Sequence, residues 1–147
     1  MDDQLFRAHD FDPSSVLPDD LIQRIRSRAA GHDAEASFPW DDLEELRALG
    51  YLGALTPTDM GGLGLTFTQV CATQARLATA APGTALAINM HLVWAGVARY
   101  PHDRGDHSLD FVLAGAAAGE TYAFGISEVV NDLVLLRSTT EAVTHRY

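Results

Sequence analysis

The chain has no lysine: its ten basic residues are all arginine, against twenty acidic ones, for a net charge of -10 over 147 residues. Such a balance repels phosphate backbones and presents no basic stripe to anionic lipid, which argues against nucleic acid and membrane surfaces as partners. Cysteine is almost as scarce. Cys71 alone cannot close an intrachain disulfide, so nothing points to an oxidising compartment. Long apolar runs are missing too: the best candidate, from Ala85 to Arg99, falls short of the roughly 20 residues of a membrane span and contains Asn89 and His91. The acidic start Met1-Asp2-Asp3 has no apolar signal core, and the expectation is a cytoplasmic protein.

What is present suffices for one core. The composition is 47% hydrophobic, and a chain of this size buries roughly 70% of its unfolded surface. Five glycines and Pro57 interrupt the stretch Gly50 to Leu65, a density that neither helix nor strand tolerates. Yet Tyr51, Leu52, Leu55, Met60, Leu63 and Leu65 are apolar, which predicts an ordered loop packed on the helices that flank it.

Those helices follow from period and caps. Leu21, Ile22, Ile25 and Ala29 recur at helical spacing after Asp19 or Asp20, with Gly31 as a stop. A second helix follows Pro39, with Asp41, Asp42, Glu44 and Glu45 as a solvated start, Leu43, Leu46 and Leu49 as its apolar stripe, and Gly50 beyond its end. Thr66 and Gln69 have capping-box spacing, opening a third helix whose buried side is predicted as Phe67, Val70, Cys71, Ala75, Leu77 and Ala78, with Cys71 an inert buried thiol. Thr84 can cap a fourth, apolar nearly all round and hence central; Ser108 can cap a fifth, closed by Gly119. His91 on the fourth reads as a hydrogen-bonded core histidine. His102 and His107 lack both i, i+4 helical spacing and cysteine partners, so no metal is expected there.

Beyond Thr121 the period changes to two at Tyr122, Phe124 and Ile126, and Leu133 to Val143 is rich in β-branched residues. The expected fold is mostly α: an up-and-down bundle of about five helices followed by two short β-strands of an incomplete β-domain. Residues 1–19 would form a partly ordered arm, 20–119 the helical domain, and 120–147 the truncated start of the β-domain.

The order Leu46-Arg47-Ala48-Leu49-Gly50-Tyr51-Leu52-Gly53, Thr56-Pro57, Gly61-Gly62-Leu63-Gly64, Asn89-Met90-His91, Ala118-Gly119-Glu120 and Tyr122-Ala123-Phe124-Gly125-Ile126-Ser127-Glu128 resembles the amino-terminal helical domain of flavin-dependent acyl-CoA dehydrogenases. The similarity runs from about residue 20 onward. It implies FAD as cofactor, held between a helical domain, a middle β-domain and a second helical domain, and acyl-CoA as substrate. Carried over by position, Phe124 matches an aromatic residue of the first β-domain strand. Ile126 and Ser127 fall where that strand meets the isoalloxazine, and Asn131 takes the place of a serine whose side chain bonds the cofactor. Val129 and Val130 stand where the family has turn-forming residues.

The family's catalytic glutamate belongs to the carboxy-terminal domain, so the resemblance implies no catalytic residue in this chain. The expected function is therefore an amino-terminal fragment of an FAD-dependent acyl-CoA dehydrogenase, inactive alone, joining a homo-oligomer or a complementing chain. One alternative is a fragment of a flavin-dependent monooxygenase of the same fold; another is a non-catalytic helical module that pairs through an exposed sheet edge.

Overall fold

A computed structural model describes residues 10–123 and residue 143. Among them are five α-helices: α1 (Asp19–Glu35), α2 (Trp40–Ala48), α3 (Phe67–Ala78), α4 (Pro82–His102) and α5 (Asp110–Ala117), with single 3-10 turns at Pro13–Ser15, Tyr51–Gly53 and Thr58–Met60. No described helix is long and apolar enough to cross a membrane.

The expectation of two β-strands after the bundle is corrected. Among the described residues every regular element is helical and none is a strand. Tyr122 donates its backbone N–H to the His91 ring, at 3.2 Å, and not to a neighbouring strand. Of the alternation Tyr122, Phe124, Ile126 only Tyr122 is described, and among the described residues it has no strand to pair with. The rest of both segments, 124–142, lies outside the described residues.

Helix boundaries follow local chemistry. The capping box of α3 forms as predicted: Gln69 N–H donates to Thr66 Oγ1, and Thr66 N–H to Gln69 Oε1 at 2.8 Å. Pro82 opens α4 at a position where a missing amide costs nothing, so Thr84 lies inside the helix and not at its cap. Leu109, not Ser108, precedes α5. Gly31 does not stop α1; an added Cβ there would meet nothing within 4 Å, and the helix runs on to Glu35 before Ala36 turns left-handed at φ 50. Gly50, at φ 73, ends the α2 segment as expected.

The core joins α1 to α4 around the glycine-rich loop: Leu17, Leu21, Ile25, Leu46, Leu77, Ile88 and Leu92 pack with Tyr51, Leu52 and Leu55. Every residue from Tyr51 to Thr56 is buried. The loop folds back on itself, Leu63 N–H donating to Gly53 O, Gly64 to Thr56 O and Leu65 to Ala54 O, all within 3.0 Å. Gly62 makes this possible, since a Cβ there would lie 2.2 Å from Thr56 O. Outward bonds tie the loop to two helices: Thr56 Oγ1 donates to Leu113 O on α5, and Arg99 of α4 to Leu55 O.

The acidic start of α2 is not simply solvated. Asp42 is fully buried, accepting from Arg28 Nε of α1 at 2.7 Å and from Thr84 Oγ1 of α4 at 2.6 Å. One carboxylate thus links three helices, which is how an ion survives burial. The α3 stripe is also corrected. Its buried positions are Val70, Thr73 and Leu77, whereas Phe67, Cys71, Ala75 and Ala78 are exposed. Thr73 can be buried because its hydroxyl donates to Val70 O and sits 2.8 Å from the Tyr51 hydroxyl. Burial pushes the Tyr51 phenol up to about 12.

Candidate functional site

His91 sits on the inner side of α4, where the glycine loop and the residues after α5 converge. Its Nε2 is 2.8 Å from Leu52 O, and since a carbonyl can only accept, Nε2 carries the proton. Nδ1 is then the lone pair that receives the Tyr122 N–H. The two rings stack at 5.9 Å with 9° between planes. Burial holds the imidazole below its ordinary pKa, so it stays neutral at neutral pH. With both nitrogens engaged by backbone, His91 positions the chain and has no free valence for proton transfer.

Beside it lies a cavity of about 120 Å³ lined by Trp40, Leu43, Leu52, Ile88, His91 and Tyr122, among others. Its walls are apolar, and its rim carries Phe38 and Trp40, whose rings meet at 4.6 Å and which are both exposed. Ligand sites usually offer about 300–1,000 Å³, so this cavity does not by itself accommodate a flavin. A second cavity, about 320 Å³, lies between the α1–α2 connection and the start of α4, lined by His32, Asp33, Ser37 and Gly83 among others.

From the cavity's edge one apolar face of α4 runs outward. Leu86, Met90, Val93, Val97 and Tyr100 are all exposed, at alternating spacings of four and three that place them on one stripe. No charged residue occurs between Pro82 and Ala98.

The residues expected to contact a cofactor, Phe124, Ile126, Ser127 and Asn131, all lie outside the described residues. What the structure brings together instead is the anchor immediately before them, Tyr122 on His91. Sequence reasoning assigned His91 to the core, where it is, but missed Phe38, Trp40 and Tyr122 as cavity residues. The aromatic pair flanking Pro39 was the available signal.

The family model described as "Acyl-CoA dehydrogenase, N-terminal domain" matches residues 21–104. This chain belongs to the acyl-CoA dehydrogenase family. L-evernosamine nitrososynthase of Micromonospora is 41% identical over 73 residues, which is 49% of this chain and 17% of that protein. YdbM of Bacillus subtilis, provisionally named an acyl-CoA dehydrogenase, is 30% identical over 84% of this chain and 29% of its own length. The amino sugar nitrososynthase DnmZ of Streptomyces peucetius is likewise 30% identical, over 82% of this chain and 32% of its own. The chain thus spans less than a third of these relatives. No solved structure matches it.

Proposed function

We propose that the chain supplies the amino-terminal helical domain of a cytoplasmic, FAD-dependent acyl-CoA dehydrogenase, and that alone it neither retains FAD nor oxidises acyl-CoA. The observation that carries this is the exposed, uncharged stripe of α4 beside a half-formed apolar cavity. A complete globular protein rarely leaves such a face to water, whereas a domain that closes against more protein must have one. In this reading Phe38, Trp40 and the α4 stripe form one wall of an acyl-binding cleft. Tyr122, held by His91, fixes where the cofactor-contacting residues Phe124, Ile126, Ser127 and Asn131 begin.

A second reading is supported by the 41% identity to a nitrososynthase: the same domain serving a flavin enzyme that oxygenates an amino sugar nitrogen. The apolar stripe favours the first reading, because an acyl chain matches it and a sugar does not.

The test is the flavin absorbance spectrum of the purified chain, with FAD supplied, before and after addition of acyl-CoA. No stoichiometric flavin should remain after desalting. Bound flavin that bleaches with acyl-CoA would refute the claim of inactivity, and bound flavin that instead consumes oxygen when reduced beside an amino sugar would select the second reading.

A further inference from the structure

The corner between α4 and α5 gathers three metal-binding side chains that spacing alone does not bring into view. His102 is the last residue of α4, Asp110 the first of α5, and His107 lies in the tight connection between them. Gly105, at φ 82, reverses the chain, and backbone bonds from Gly105 N to His102 O and from Asp106 N to Pro101 O hold the reversal. The result brings one ligand atom from each of the three within 4.8 Å of the others. His102 Nδ1 lies 2.8 Å from one Asp110 carboxylate oxygen and His107 Nδ1 lies 2.9 Å from the other, the two rings meeting edge to face at 5.1 Å.

We propose that His102, His107 and Asp110 form a site for one divalent transition-metal ion, zinc being the member of that class best suited to it. Two borderline imidazole nitrogens beside one hard carboxylate oxygen favour Zn²⁺, Co²⁺ or Ni²⁺ over Mg²⁺ or Ca²⁺, which take all-oxygen sets. Metal–ligand bonds of about 2.0–2.2 Å put tetrahedral ligand atoms about 3.3 Å apart. Each His–Asp pair therefore opens by about half an ångström and the longer separations, up to 4.8 Å, close to the same spacing, the ion replacing the two N–H···O bonds while each imidazole moves its proton to Nε2. His107 is 63% exposed, so solvent reaches the site and water completes the coordination. An ion there pins α4 to α5 and is separate from the cleft at His91. The nearby Asp103 is ion-paired with Arg99, and Asp106 accepts from Ser108 N–H, so neither competes for the ion in this arrangement.

The test is titration of the tag-free, chelator-treated chain with Zn²⁺ by calorimetry, and with Co²⁺ by its visible ligand-field bands. The wild type should bind one equivalent with tetrahedral Co²⁺ absorbance. His107→Ala and Asp110→Asn should each bind at least tenfold more weakly while keeping the wild-type circular dichroism, and Cys71→Ser should match the wild type. Absence of stoichiometric binding, or retention of wild-type affinity by either His107→Ala or Asp110→Asn, overturns the assignment.

Discussion

The loop from Gly50 to Leu65 and the helix α4 present opposite surprises. The loop has the composition of a connector, yet Tyr51 to Thr56 are buried and its amides bond back onto its own carbonyls. The helix has the composition of a fully buried element, yet Leu86, Met90, Val93, Val97 and Tyr100 face outward. Burial is decided by which neighbours the fold supplies, not by the apolar content of a segment. The loop is surrounded because α2, α4 and α5 all send groups to it; one face of α4 is bare because no described element reaches it.

Substitutions can break or sharpen this contrast. Leu55→Ala in the loop should lose about 3.5 kcal/mol by denaturant unfolding, in the range for a fully buried leucine; a value near zero would mean the loop is not core. Asp42→Ala should cost about 3 kcal/mol, because it strands the buried Thr84 hydroxyl and removes one of the two carboxylates paired with Arg28, leaving Glu45. For Gly62→Ala the expected loss is about 2 kcal/mol, since backbone oxygen has to move away from the new methyl. Leu86→Ala, on the bare face of α4, should change stability by less than about 0.5 kcal/mol. Equal losses at Leu55 and Leu86 would erase the distinction.

A pH series addresses His91. Its folded pKa is lowered by burial, so the unfolded chain binds the proton more readily. The stability it contributes is present above the unfolded value of 6.5 and is lost as pH falls through the lower folded value. The stability gap between the wild type and His91→Gln should therefore narrow between about pH 7.5 and 5. A constant gap would mean that His91 is not buried as a neutral ring.

Much of the helical fold was legible because its signals are local. The Thr66–Gln69 capping box, Gly50 as terminator, the period of Leu21, Ile22 and Ile25, and the core position of His91 all reappear. The failures are tertiary. Nothing in α3 says that Thr73 is buried while Phe67 and Cys71 are not, since the Tyr51 hydroxyl that makes Thr73 acceptable comes from another element. Asp42 looks like any acid in a first helical turn until Arg28 and Thr84 close on it. The period-two alternation at Tyr122 predicted a strand, but period specifies only which faces side chains take; Tyr122 found His91 instead. Of the candidate site, the cofactor contacts Phe124, Ile126, Ser127 and Asn131 came from family resemblance, and the cavity beside His91 only from the fold.

The most direct test of the loop as organising core is native-state amide hydrogen exchange. The amides of Leu63, Gly64 and Leu65, bonded to Gly53, Thr56 and Ala54, should exchange as slowly as those of Ile88 and Leu92 in the middle of α4, opening only with global unfolding. Exchange of those three amides at the rate of an open surface loop, while α4 stays protected, would contradict it.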